Sequence, residues 1–261
     1  MKPIVLMVLA AGLVASSDQG LRPAQRTQAA LAAQLRDGSD AARLKAVSEL
    51  LKAPVQERSV EVKVALRSEL RRIKATGEER QKILDKGGYV SPSLDHGLYH
   101  RLLLEAVAQE NDPATIPYLI DFIETGGLVR AALVRFGALA FSQVQAIAAD
   151  SRNPREVASA LRTLAAMVTG PSEHPISLPN GLLVQVAKAR LEGQQHVIVL
   201  GAASELALVL RQPDLINRVR TLAHNAEAVQ SAGVSDPDLI RWLQEKLVKL
   251  LQEAKIPGAP S

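Results

Sequence analysis

The stretch from Ala114 to Ala140 reads ATIPYLIDFIETGGLVRAALVRFGALA, and residues 141–168 follow it directly with FSQVQAIAADSRNPREVASALRTLAAMV. Each half predicts one helix, a short break and a second helix within fewer than thirty residues. A unit of that size cannot bury its own apolar face, so neighbouring units must cover it. The stretch therefore predicts a stack of helix pairs, and it predicts no particular chemistry.

A recurring dipeptide marks the predicted helix starts. Asp112-Pro113, Asn153-Pro154 and Asp236-Pro237 each place a capping side chain directly before a proline. The side-chain oxygen can accept a hydrogen bond from a free amide of the first turn, where proline loses nothing. Inside the first pair, Gly126-Gly127 is a natural helix stop. The next helix is expected to carry Val129, Ala132, Leu133, Phe136 and Ala140 on one side.

The rest of the chain is also helical in its periodicity. Residues 59–66 (SVEVKVAL) alternate as a strand would, but Val62, Leu66 and Leu70 continue at helical spacing, which favours a helix. Residues 169–179 are a possible subdomain boundary, and residues 256–261 are predicted to be a disordered tail. The other predicted helices span residues 25–35, 40–52, 55–74, 94–109, 181–192, 194–211, 213–224 and 237–254.

The composition agrees with a helical chain. Its 261 residues include 3% aromatic residues and no cysteine, and Ala and Leu dominate, which favours close-packed helices over a β-sandwich. The formal net charge of +4 is a small surplus of 31 basic over 27 acidic residues. Such a surplus is a poor basis for binding nucleic acid, so we expect no nucleic-acid partner.

Residues 1–17 have the pattern of a secretory signal peptide. Lys2 is followed by the apolar run Ile4 to Val14 and by small residues at Ala15-Ser16-Ser17. A membrane anchor is the alternative, but the run is shorter than the ~20 residues that a spanning helix needs. We therefore expect a periplasmic or secreted protein with a mature helical domain over residues 18–255 and no transmembrane segment after cleavage. Without cysteine, that domain has neither disulfides nor a lipidated N-terminal cysteine.

The repeated pairs resemble the HEAT-repeat family. The resemblance lies in Ile116-Pro117-x-Leu119-Ile120 of one helix and Leu128-Val129-Arg130-x-Ala132 of the next, with Leu44-Lys45-Ala46-Val47 as a degenerate third copy. The second clear unit departs from it, with Phe141-Ser142 and Val157-Ala158 at the corresponding places. The resemblance covers roughly residues 38–168. It implies a scaffold that binds other proteins.

Two histidines are spaced as metal ligands on a helix would be. His96 and His100 lie four residues apart, beside Asp95. Gly97 stands where a catalytic HExxH motif has glutamate, and no nearby cysteine or third histidine completes a structural zinc site. Two surface histidines near a helix start are the better interpretation, and we expect no metal or other cofactor.

A basic stripe is the second candidate. Lys63, Arg67, Arg71 and Lys74 follow one another at spacings of four, four and three. The stripe could present cations to an anionic partner or a membrane surface. Ordinary solvation of a helix face explains it as well, because nearby glutamates dilute the field.

Catalytic motifs do not emerge. Residues 196–204 (HVIVLGAAS) resemble a strand entering a glycine-rich turn, but a dinucleotide site needs GxGxxG and only Gly201 is present. A buried helix that packs closely at Gly201 is the better interpretation. The chain also has no GxSxG and no P-loop, so we assign no catalytic residue.

The sequence therefore predicts an all-α fold, an α-α superhelix of stacked antiparallel helix pairs. The first functional hypothesis is a non-catalytic module that binds a protein or peptide partner on one face of the stack. The alternatives are an enzyme or enzyme accessory on a helical scaffold, and electrostatic attachment to an anionic envelope surface through the basic stripe.

Overall fold

The computed structural model describes residues 23–87, 94–170 and 180–255, and those ranges are helical with no strand. The all-α prediction is therefore confirmed. The predicted signal peptide, residues 171–179 of the possible boundary and the predicted tail lie outside the described residues. The α-helices are α1 (Pro23–Asp37), α2 (Asp40–Lys52), α3 (Val60–Asp85), α4 (Leu94–Ala108), α5 (Ile116–Ile120), α6 (Gly127–Phe136), α7 (Ala138–Asp150), α8 (Pro154–Thr169), α9 (Asn180–Glu192), α10 (Val197–Leu210), α11 (Pro213–His224), α12 (Ala226–Ser231) and α13 (Pro237–Glu253).

The stretch from Ala114 to Val168 forms the expected helices, with two differences in its first half. The helix expected after Pro113 is divided into a 3-10 turn, the five-residue α5 and a second 3-10 turn over Ile123–Thr125. Gly126 then ends it with a φ of +64°, a conformation that favours glycine. Gly137, with a φ of +52°, ends α6 before Ala140, so that residue belongs to α7 and not to α6 as expected.

The three predicted caps are confirmed. Asp112 accepts a hydrogen bond from the amide of Ala114 at 2.9 Å, and Asn153 accepts one from Arg155 at 3.0 Å. Asp236 accepts from the second residue of α13 at 2.8 Å. Each bond satisfies an amide that has no partner inside its own helix.

Residues 59–66 belong to a helix, as the spacing favoured. The side chain of Ser59 caps α3 by accepting from the amide of Val62 at 3.3 Å, so the helix begins at Val60 rather than at Val55. It continues past the expected end at Lys74 as far as Asp85. The short helix α12, capped by Asn225, was not expected.

Many of the helix contacts skip one or two helices along the chain. α6 contacts α8, α8 contacts α10, and α10 contacts α13, while α5 contacts α7 and α7 contacts α9. Within the helix pairs, α5 packs on α6, α7 on α8 and α9 on α10. Helix α10 is the most enclosed, because α8, α9, α11 and α13 all pack against it.

Gly201 lets α13 approach α10. Gly201 is buried, and a Cβ atom there would lie 3.3 Å from Nζ of Lys246 and 3.8 Å from Cδ1 of Leu243. The absence of a side chain therefore brings the two helices into close contact, as the sequence suggested. Across the described ranges, no helix combines the length and apolar character needed to cross a membrane.

Candidate functional site

The basic stripe lies partly inside the protein. Arg67 is buried, and its guanidinium donates to Glu110 at 3.2 Å and forms an ion pair with Asp112. Glu110 is fully buried and also accepts a hydrogen bond from Thr115 at 3.2 Å. Burial raises the pKa of Glu110, and the charge of Arg67 opposes that rise. Arg67 thus joins α3 to the turn that follows α4.

The next two stripe residues contact α5 and the residue after it. Arg71 lies over the ring of Tyr118, with 5.0 Å between its Cζ and the ring centroid, and donates to the phenol oxygen at 3.2 Å. Lys74 pairs with Asp121 at 2.6 Å. Lys63 is half-buried. Three of the four stripe cations therefore have partners within the chain, and binding of an anionic molecule by the stripe stays a prediction.

His100 lines a cleft beside the second half of α3. Its ring lies 5.0 Å from that of Phe122, centroid to centroid, and its Nε2 is buried with no hydrogen-bond partner among the described residues. Burial lowers the pKa of His100. The side chain of His96 lies outside the described residues, so the structure places only one of the two histidines. The cleft encloses about 960 Å³, and its walls include Lys74, Arg80 and Arg155.

Among the described residues, no group of three or more His, Cys, Asp or Glu side chains is placed to hold an ion. The contacts of His100 are with an aromatic ring, which is the environment of a histidine packed at the edge of a core.

A row of charged side chains crosses four helices, α6, α8, α10 and α13, each of which packs on the next in that order. Arg162 of α8 donates its Nε to Glu205 of α10 at 3.1 Å, and Lys246 of α13 pairs with the same carboxylate at 2.7 Å. The ammonium of Lys246 lies 5.6 Å from the ring centroid of Trp242. Arg130 of α6 completes the row, because it lies close enough for Arg162 and Glu205 to affect its pKa. We call these five residues the charged row.

The charged row is only partly exposed to water. The side chains of Arg162, Glu205 and Lys246 are 29%, 24% and 25% exposed. Trp242, in contrast, is 44% exposed. Half-buried charges interact more strongly with a partner than fully solvated charges do, because less water screens them. An exposed tryptophan beside them offers a large apolar contact.

Sequence reasoning missed the charged row. Arg162 and Glu205 are 43 residues apart, and Glu205 and Lys246 are 41 apart, so local periodicity does not connect them. Arg130 stands in the second helix of the first pair and Arg162 in the second helix of the next. The residue that corresponds to Arg130 in the second unit is Ala158, however, so the repeat pattern gave no signal for this row.

Comparison of the whole chain with protein-family models, with curated proteins and with solved structures gives no significant match.

Proposed function

We propose that this protein is an exported, non-catalytic interaction module, a HEAT-like solenoid that holds a protein partner on the face formed by α6, α8, α10 and α13. The observation that carries the proposal is the charged row, whose contacts join α8, α10 and α13 and end at an exposed tryptophan. The export component depends on the signal-peptide pattern of residues 1–17.

The helix contacts support the solenoid component of the proposal. One set of contacts joins α6, α8, α10 and α13, and a second set joins α5, α7 and α9. Two rows of helices joined by pairwise packing are the arrangement that stacked helix pairs produce. In such a stack, one helix from each pair contributes to each face, so a surface can extend across several repeats.

The chemistry of the charged row supports a macromolecular partner. Tryptophan and arginine are enriched among the residues that dominate the energy of protein interfaces. Here Trp242 lies at one end of the row and Arg130 at the other, with three charged side chains between them. A ligand that contacts both ends must cover four helices, which is more than a small molecule does.

The alternative of electrostatic attachment through the basic stripe has weaker support. Arg67 is buried against Glu110 and Asp112, and Lys74 already pairs with an acid. To bind an anionic surface, Arg67 would have to leave its buried ion pair with Glu110, and Lys74 its exposed one with Asp121.

Site-specific photo-crosslinking in the producing cell tests the proposal. A photoreactive amino acid replaces Lys249, an exposed residue of α13 three positions after Lys246, or Lys188, a matched exposed lysine of α9. We expect one protein to crosslink from position 249 and not from 188, and W242A to weaken that crosslink several-fold. Equal crosslinking from both positions, or a crosslink that W242A leaves unchanged, would contradict the proposal.

A further inference from the structure

The cleft beside the second half of α3 lies apart from the charged row, because none of the five charged-row residues lines it. Residues of α3, of α4, of the turn after α5 and of the start of α8 form its walls. The ion pair between Lys74 and Asp121, at 2.6 Å, joins two of these walls. The volume of about 960 Å³ is that of a pocket for a small organic ligand, which typically measures about 300–1,000 Å³.

One part of the lining is apolar. Phe122 is 8% exposed, and its ring centroid lies 5.0 Å from that of His100, with the two rings inclined at 59°. Burial lowers the pKa of His100, so its ring is largely neutral at pH 7 and presents an apolar face. Ile73 of α3 adds an aliphatic side chain to the same lining. Together these residues can receive an apolar group of a ligand.

Two glycines leave space in the cleft. Gly77 lies in the interior of α3 and Gly97 near the start of α4, and both line the cleft. A Cβ atom on either would meet no atom of the described chain within 4 Å. Glycine in the interior of a helix is less favourable than alanine, and the packing of the described chain does not require it here. The space beside both glycines is therefore open to a ligand, which can approach the main chain closely.

Charges of both signs line the cleft, and two of them lack a close partner. Arg80 is half-buried on α3, and its guanidinium has no hydrogen bond or ion pair within the described ranges. Glu124 accepts one long hydrogen bond, of 3.5 Å, from the side-chain amide of Asn153. Of the described lining residues, four are basic and four are acidic, so the cleft as a whole favours neither an anion nor a cation. A ligand with one charge of each sign fits this balance.

We propose that the cleft binds a short peptide with free ends. The peptide carboxylate pairs with Arg80, its ammonium group pairs with Glu124, and an apolar side chain packs on Phe122 and the ring of His100. Arginine suits the carboxylate because it donates paired hydrogen bonds to it. A ligand with only one charge leaves either Arg80 or Glu124 without a partner. The proposal is independent of the charged row and of the protein partner that we place there.

Isothermal titration calorimetry of the purified protein with the tripeptide alanyl-alanyl-phenylalanine tests the site. We expect saturable binding. Acetylation of the ammonium group and amidation of the carboxylate should each weaken it about tenfold, because each removes one charge-assisted interaction. Absence of binding at millimolar peptide would overturn the proposal. Equal binding of the tripeptide capped at both ends would also overturn it, because the cleft would then recognise only the apolar part.

Variants of the two charged residues identify which end of the peptide each one binds. R80Q should weaken binding of the free tripeptide about tenfold and leave binding of the amidated form unchanged. E124Q should weaken binding of the free tripeptide to a similar extent and leave binding of the acetylated form unchanged. R101Q is the matched control, since Arg101 is an exposed arginine of α4 outside the cleft, and it should change the affinity less than twofold. If R80Q weakened the free and amidated forms equally, Arg80 would not bind the carboxylate and the proposal would be wrong.

Filling the open space tests the location of the ligand. G77L should abolish binding of the tripeptide, and it should unfold at the same temperature as the wild type or a higher one, because leucine is the better helix former. G181L is the matched control, since Gly181 of α9 is equally open but lies outside the cleft. Binding that survives in G77L would place the peptide elsewhere and overturn the proposal. Should G77L fail to fold, G97L fills the same cleft from α4.

W242A separates this site from the proposed function. It should weaken the crosslink from position 249 and leave the affinity for the tripeptide unchanged. If the tripeptide did not bind but the crosslink persisted, the peptide site would be wrong and the interaction module would stand. If the tripeptide bound through Arg80 and Glu124 but no protein crosslinked from position 249, the peptide site would stand and the interaction module would be wrong.

Discussion

The phenol of Tyr99 donates a hydrogen bond of 2.9 Å to Glu69, and this bond joins α4 to α3 inside the protein. Glu69 is 4% exposed, and it also accepts two hydrogen bonds from Arg72, at 2.6 and 2.7 Å. Burial raises the pKa of Tyr99, and the neighbouring carboxylate raises it further. The phenol of Tyr99 therefore stays protonated at neutral pH. The buried carboxylate of Glu69 keeps its hydrogen bonds from Tyr99 and Arg72.

Replacement of Tyr99 by phenylalanine is expected to cost about 1–2 kcal/mol in the free energy of unfolding, because a buried carboxylate loses one of its donors. Urea denaturation monitored by circular dichroism measures this cost. Y118F is the matched control, since the phenol of Tyr118 contacts Arg71 in an exposed position. A loss for Y118F as large as that for Y99F would contradict the role of burial.

The local features of this fold could be predicted from the sequence, and the long-range ones could not. Asp112, Asn153 and Asp236 were identified as caps because a cap and the amide it satisfies lie within three residues. The partner of Arg67, in contrast, is 43 residues away at Glu110, so the contact depends on how α3 and α4 pack. A pattern of cations at helical spacing looks the same whether that face meets water or another helix.

The length of a helix also limits what the sequence can predict. The six-residue α12 is too short for apolar periodicity to distinguish it from a turn, although Asn225 provides a cap. The charged row was missed for the opposite reason, because its members come from four helices distributed along most of the described chain. Periodicity reports which residues share the face of one helix, and it does not report how the faces of separate helices align.

Acidification is expected to destabilise the protein in part through His100. Burial lowers the pKa of His100 in the folded state, so the unfolded chain binds a proton more readily. Its contribution to stability is therefore present above the ordinary pKa of about 6.5 and is lost as the pH falls through the lowered folded value. The free energy of unfolding at pH 7.5 and 5.5 should differ less in H100N than in the wild type.

His224 provides the control for that measurement. Its side chain is exposed at the end of α11, so a change in pH dependence as large in H224N as in H100N would contradict the role of burial at His100. An NMR titration of the His100 ring would read the pKa directly. A value at or above about 6.5 would refute the effect of burial.

The cap of the last helix has a predictable energy. Asp236 accepts hydrogen bonds from the amides of Asp238 and Leu239, at 2.8 and 3.2 Å. D236A should lower the free energy of unfolding by about 1 kcal/mol, and D236S should recover most of that loss because serine also caps. D238A tests the general effect of an acid in the first turn, since Asp238 is 89% exposed and caps nothing in the described chain. If D236A and D238A had equal effects in thermal denaturation, the assignment of the cap would be wrong.

The contact at Gly201 predicts a dependence on side-chain size. An alanine there needs only a small movement of the flexible Lys246 ammonium, which lies 3.3 Å from the new Cβ, and it improves the helix by up to about 1 kcal/mol. G201A should therefore be close to neutral in urea denaturation. G201L must displace Leu243 and with it α13, and overpacking of this kind costs roughly 1–3 kcal/mol. Equal stability of the two variants would show that α13 does not depend on this contact.

The packing of α8 on α10 should hold the protein together after a single cleavage of the main chain between these helices. These helices lie on either side of residues 171–179, and they make one of the principal helix contacts of the molecule. A protease that cleaves once within 171–179 would therefore leave two fragments whose apolar faces still cover each other. Such a nicked protein should elute from a sizing column as one species, and the two fragments, expressed separately, should reassemble on mixing.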